Sequence, residues 1–429
     1  MKIDPKKLKR QNQVIDKWLK NKACGTLQAT TGFGKTFVAL MCIQRMNERK
    51  PERTTMVVVP TQYLKSQWEE QILNLSLENV EVLVINTAIK SQRQYDLLVL
   101  DEIHNYGSNE FIKIFENTQY KFILGLTATI DRSDNRDALI RTYCPVIDTV
   151  DIVEALENGY VSNFKVFNLG IELNKEDRKI YDKMNKDFHF NFSQFNHDFN
   201  TAMACLSKPD YRNSYARTTG RDPADLAVYA INFNRNMQKR KKFLYFASSK
   251  MEAVLELLQE FSDKKAITFS EGVDFAKGLH QRMPQFSVDY HSKMPKGVKA
   301  RNLELFNKES SDVHVIHTAK ALDEGFDVKG IDLAIISSGT SSTRQDLQRT
   351  GRAIRYQEGK TAVIVNIYIK DTQDERWLRA RQKKSTNIIH VNSIQEIKDN
   401  LSQRQISADG DSDPARSGRY NLFANGRGG

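Results

Sequence analysis

Short runs of Val, Ile and Leu, each followed by a stretch of helical periodicity, set the rhythm of the first part of the chain. They are TTMVVVP (54–60), VEVLVIN (80–86), DLLVLDE (96–102) and KFILGLT (121–127). Strands apolar on both faces, alternating with helices, predict a parallel sheet covered on each side. The rhythm returns with KAITFS (265–270), DVHVIHT (312–318), DLAIISS (332–338) and TAVIVNIYI (361–369). Two α/β domains follow, over 1–150 and 243–402, each with its own sheet. Residues 151–242 break the pattern and are expected to be a linker with a helical insertion. Phe188, Phe190, Phe192, Phe195 and Phe199 lie there. The core of a small helical subdomain is favoured for them over a stacking platform for bases. From 403 to 429 the chain is rich in Gly, Ser, Asp and Arg and reads as a disordered tail.

Composition narrows the class. A chain of 429 residues exceeds what one hydrophobic core usually holds. No apolar run approaches the ~20 residues that cross a bilayer, and MKIDPKKLKR lacks the apolar segment of a secretion signal. A cytoplasmic location is expected. Four scattered cysteines, with no C-x-x-C pair, argue against a disulfide framework or a zinc site. His314 and His317 stand three apart in a strand-like run with no acidic or cysteine partner beside them, so no metal is assigned there. The net charge of +11 draws a protein toward polyanions, although a basic surface alone would look the same.

The chemistry begins at ATTGFGKT, residues 29–36, between a strand-like segment and the apolar-periodic FVALMCIQRM. A strand, a glycine-rich loop and a helix make a phosphate cradle, in which Gly32 and Gly34 let successive N–H groups turn toward phosphate oxygens. Thr31, Gly32, Phe33, Gly34, Lys35 and Thr36 are the expected nucleotide-binding residues. Lys35 reaches the β- and γ-phosphates, and Thr36 ligates Mg²⁺. Asp101 and Glu102 follow four aliphatic residues at the end of a buried strand, where α/β sheets bind ligands. Two carboxylates there are costly without a task. Asp101 is expected to hold Mg²⁺ and Glu102 to act as general base toward the attacking water. Thr61, Gln62, Ser270 and Thr318, at strand ends, are candidate grips for a nucleic-acid backbone.

ATTGFGKT, VVVPTQYLKSQW, DEIH, LTAT, ITFS, HTAKALDEGFDV and QRTGRAIR occur in the order of the motifs of superfamily 2 helicases. The set spans both α/β domains, and the chain resembles the DExH members of that superfamily. The resemblance implies two tandem RecA-like domains and ATP with Mg²⁺ as cofactors. It implies an adenine-reading glutamine at Gln13, although Asn12 stands where the family has tyrosine. His104, Thr127 and Thr129 resemble the residues that couple the nucleotide site to the nucleic-acid groove. Asp327 resembles the acid that meets the ribose, and Gln348, Arg352 and Arg355 include the two arginine fingers. DEIH with LTATIDRSD resembles the XPB-like and phage UvsW-like branch, with Ile130 in place of a usual proline. That branch implies a monomeric DNA helicase working on forks and Holliday junctions in phage-type recombination, replication or repair. A duplex translocase without strand separation and an RNA helicase stay open as alternatives.

Overall fold

The computed structural model describes residues 4–128, 130, 137–161, 163–308, 310–319, 328, 330–338, 361–382 and 388–409. The first sheet contains β1 (Cys24–Ala29), β2 (Thr55–Val59), β3 (Val80–Val84), β4 (Arg93–Asp101), β5 (Thr118–Thr127) and β6 (Val146–Val150). All pair in parallel, in the order β3-β2-β4-β5-β1-β6. Leu97, Leu98, Val99 and Leu100 are fully buried, so both faces of β4 are covered, as their continuous apolar run predicts. Helices Lys35–Arg49 and Gln62–Asn74 follow β1 and β2.

The second sheet holds β7 (Asn163–Ile171), β8 (Ala266–Ser270), β9 (Ser287–His291), β10 (Val315–Ala319), β11 (Leu333–Ile336), β12 (Thr361–Ile369) and β13 (Ile388–Val391). It too is parallel, in the order β13-β7-β12-β11-β8-β10-β9. Two parallel-sheet α/β domains are therefore the architecture. The boundary differs from the sequence reading, because residues 163–171, placed with the helical insertion, form an inner strand of this sheet. Its polar residues hid it. Asn168 is fully buried and takes a hydrogen bond from Asn366 Nδ2 at 3.0 Å, while its own amide donates to Gln382 at 2.6 Å. A buried polar group with partners is compatible with a core position. The tail reading also shifts, since the helix Ile394–Asp409 runs past residue 403. Residues 410–429 lie outside the described residues.

His317 is buried within β10, its Nδ1 2.9 Å from Thr268 Oγ1. Burial pulls its pKa from 6.5 down to about 3, with His280 adding to the effect. Below about pH 6.5 the unfolded chain takes up a proton here that the folded chain refuses. Stability should then fall with pH, by up to about 1.4 kcal/mol per unit. Comparing urea midpoints of the native chain and His317→Asn from pH 7 to 5 checks this. The variant should show the shallower slope.

The insertion proper consists of helices Lys175–Ser193, Phe199–Ser207, Pro209–Thr219 and Pro223–Tyr245. Asn174, Asp198 and Asp222 cap three of them by accepting backbone N–H bonds. Phe188, Phe195 and Phe233 form its core, and Phe192 stacks on Phe233 at 4.8 Å. Phe190 and Phe199 remain 59% and 49% exposed. Most of the phenylalanine density is thus core. Phe233→Ala should cost the subdomain about 3–5 kcal/mol. Hydrogen exchange should show the loss of protection confined to 175–245, with the second sheet unchanged.

Candidate functional site

The loop after β1 needs the glycines it contains. Gly32 and Gly34 sit at φ +89° and +92°, a region that residues with a Cβ rarely adopt. A Cβ on Gly34 would also lie 2.7 Å from Gln11 Nε2. Lys7 Nζ donates to Gly32 O at 2.7 Å, and Gln11 Nε2 donates to Phe33 O at 2.8 Å. A peptide's C=O and N–H point in opposite directions, so pinning these carbonyls turns the next two N–H groups the other way. Lys35 opens the following helix and donates to Ala29 O at 3.0 Å. Thr31 and Thr36 are half-buried at either end of the turn. Phe33 departs from expectation, because its ring is fully buried and meets Tyr160 edge-on at 5.8 Å. Only its backbone can serve a ligand.

Gln13 is exposed, and the residue that reaches the loop is Gln11. Gln11, Val14, Ile15 and Trp18 are the buried stripe of the first helix, spaced three, four and seven apart. Gln13 lies off that stripe. Gln11 Oε1 is buried without a hydrogen-bond partner, an acceptor suited to an exocyclic amine. Gln11→Ala should weaken ATP binding about tenfold, the effect of one lost hydrogen bond to a buried group. Gln13→Ala should leave it unchanged, as titration with a fluorescent ATP analogue would show.

Asp101 ends β4, nearly buried. Its Oδ2 accepts the Trp68 indole N–H at 2.9 Å, and its Oδ1 accepts the Glu102 N–H at 3.0 Å. Burial pushes its carboxyl up from the usual range, against Trp68 and the nearby Lys35 ammonium. A buried carboxylate offers about four acceptor positions, so lone pairs remain for a cation or its bound water. The donor set of Asp101 and Thr36 fits Mg²⁺, a hard ion that prefers oxygen and keeps several waters. Tyr106 Oη donates to Asp101 O at 2.8 Å and Val58 O at 3.1 Å, fixing two strand ends together.

Glu102 leaves the strand in the left-handed region, at φ +50°. Strain of this kind at a carboxylate is found where geometry serves a function. His104 Nδ1 lies 3.3 Å from Glu102 Oε2 and 2.9 Å from Thr127 Oγ1. The acidic pair and the end of β5 are thereby joined by direct contact, His104 and Thr127 both being buried.

The groove residues fare less well. Thr61 spends its hydroxyl capping the Gln62–Asn74 helix, at 3.3 Å from Leu64 N, while Gln62 is exposed. Ser270 and Thr318 are buried, donating to Thr318 O at 3.0 Å and Thr268 O at 2.8 Å respectively. They bind strand ends together and have no hydroxyl free for a ligand. At the end of β9, Lys277, Lys293 and Lys299 crowd the nearly buried His291 and, with burial as the larger cause, depress its pKa against the pull of Asp289. Thr129, Asp327, Gln348, Arg352 and Arg355 lie outside the described residues.

Two family models match the chain. The first, "Type III restriction enzyme, res subunit", matches residues 4–96 and 85–132. The second, "Helicase conserved C-terminal domain", matches 249–357 and so takes in Gln348, Arg352 and Arg355. Both domains are those of a superfamily 2 helicase. Among relatives, the DNA 3'-5' translocase XPB2 of Sulfurisphaera tokodaii is 28% identical over 392 residues, covering 87% of this chain and 84% of that protein. The helicase also shares its fold with the Hef helicase domain of Pyrococcus furiosus. The TM-score is 0.55 at 16% identity, covering 86% of this chain and 97% of the other. S. cerevisiae Dbp5 bound to RNA and ADP BeF3 superposes at TM-score 0.59 and 13% identity, covering 94% and 97%.

Proposed function

We propose that this helicase is an ATP-driven DNA motor that unwinds or branch-migrates forks and Holliday junctions. The observation that carries the reading is the cluster of Lys35, Asp101, Glu102, His104 and Thr127 around one strand end beside a phosphate loop. The similarity to a DNA 3'-5' translocase over most of both chains supports DNA as the track. No helix among the described residues is long and apolar enough to cross a membrane. A monomer in the cytoplasm is the proposed working form, and phage-type recombination, replication or repair the setting that the motif resemblance favours.

In this reading the Phe33 and Gly34 N–H groups and the helix N-terminus at Lys35 receive the phosphates of ATP, and Lys35 neutralises the β- and γ-oxygens. Mg²⁺, when bound, would be held by Thr36 and Asp101 and would offset phosphate charge. Glu102 orients the attacking water and accepts its proton. Arg352 and Arg355 from the second domain stabilise the transition state, a contribution of ~10³–10⁵ in rate, with Gln348 beside them and Asp327 at the ribose. Because these groups belong to different domains, the site completes on closure and reopens after hydrolysis. His104, Thr127 and Thr129 carry that change toward the groove. DNA phosphates there meet the helix N-terminus at Thr61 and Gln62 and the lysines around His291. The insertion, residues 175–245, has 14 Lys and Arg against 8 Asp and Glu. That excess suits a second grip on the backbone near a branch point.

The test is ATP turnover with equal nucleotide amounts of four-way junction, fork, linear duplex, single-stranded DNA and structured RNA. Stronger stimulation by junction and fork is expected. Equal stimulation by linear duplex favours a translocase without strand separation, and stimulation by RNA alone would overturn the DNA assignment.

A further inference from the structure

One face of the first helix, Pro5–Lys20, makes bonds that the reaction above leaves without a role. Lys7, Arg10 and Gln11 share that face through their spacing. Lys7 Nζ donates both to Gly32 O, at 2.7 Å, and to Tyr160 O, at 3.0 Å. Gln11 holds the next loop carbonyl, that of Phe33. Arg10 donates to Asp148 and Glu154, each at 2.6 Å. Gly32 and Phe33 belong to the phosphate loop. Glu154 and Tyr160 belong to the connector by which the chain leaves the first domain, through the short helix Ile152–Glu157, and Asp148 lies in β6 just before it. Three residues after Tyr160 the chain enters the second sheet as β7, paired along its length with β12.

Lys7 is an uneconomical choice for a plain brace. Burial lowers its pKa, and Asp4 offsets that only in part. The half-buried ammonium is shared between two neutral carbonyls rather than seated on a carboxylate, the usual partner of a desolvated charge.

We propose that Lys7 is a positioning residue that couples the phosphate loop to the domain connector. Nucleotide binding then shifts the second domain through a path one side chain long. The Phe33 N–H is held by Thr30 O at 3.2 Å. A phosphate that claims this N–H must rotate the Gly32–Phe33 peptide, which carries the carbonyl that Lys7 grips. The ammonium follows, and its second acceptor is Tyr160 O. The Phe33 ring presses on the Tyr160 ring at the same point, so side chain and backbone push the connector together. The inference rests on the ATP-binding reading above.

Lys7→Met keeps most of the unbranched side chain and removes both bonds. The assay uses full-length chain with one dye on each α/β domain and reads energy transfer as a fluorescent ATP analogue is added, alongside ATPase with and without DNA. In Lys7→Met, DNA stimulation of turnover should fall about tenfold, within the usual range of coupling between sites. Energy transfer at saturating analogue should reach at most about half the native amplitude. Tyr160→Ala, which removes the ring contact and keeps the Lys7 bonds, should lose amplitude while binding the analogue normally. It carries the test if Lys7→Met melts early. Weaker binding with full amplitude at saturation in Lys7→Met, or native amplitude in Tyr160→Ala, would overturn the coupling. Failure of the native chain to bind the analogue, or equal binding by Lys35→Ala, would instead overturn the nucleotide site itself.

Discussion

Lys35→Ala is expected to lower ATP turnover by about 10²–10³-fold, the effect of removing one preorganised donor from a developing oxyanion, and to leave the fold intact. Lys35 is half-buried at the first turn of its helix, and its ammonium donates to Ala29 O. Its helix is anchored elsewhere, through the buried Val38, Ala39, Leu40, Cys42 and Ile43. The charge therefore contributes little to packing. It is also the cation that most directly opposes the rise in the Asp101 pKa, so the variant should raise the affinity of Asp101 for a proton. Steady-state turnover with thermal melting separates the two effects. Native-like turnover in a folded variant would remove Lys35 from the site.

Glu102→Gln should slow hydrolysis by about 10²–10⁴, the usual worth of a positioned general base, with ATP binding retained. The amide preserves shape and the contact with His104, which stands 3.3 Å from the carboxylate. It cannot accept a proton from water. Glu102 takes its left-handed backbone between the end of β4 and the following turn, and a change from carboxylate to amide alters neither chain length nor branching, so the substitution should not relax it. Single-turnover kinetics on preloaded ATP provide the measurement. Equal weakening of binding and chemistry would point to a structural role. An unchanged chemical rate would shift the base to another residue.

The first sheet and the acidic pair were legible because their signals are local. Four consecutive aliphatic residues in β4 and a Gly-x-Gly-Lys-Thr turn each dictate their own geometry. Contacts that depend on a helix face were not legible in a linear motif. The family spacing pointed to Gln13, whereas the buried stripe of the first helix selects Gln11, and that stripe was available in the sequence. β7 was obscured for a different reason. Asn168 reads as polar until Asn366 is placed beside it, a pairing between residues almost two hundred apart. Ser270 and Thr318 show a third limit. A hydroxyl at a strand end can serve a ligand or a neighbouring carbonyl equally well, and only the buried geometry of β8 and β10 decides for the carbonyl.

In the proposed cycle, ATP hydrolysis moves this chain along DNA. Displacement of streptavidin from the end of a biotinylated DNA duplex tests it most directly. Displacement should accelerate with ATP and not with a non-hydrolysable analogue, and should vanish in Lys35→Ala and Glu102→Gln. Equal displacement with and without hydrolysis would show that this chain is not an ATP-driven motor on DNA.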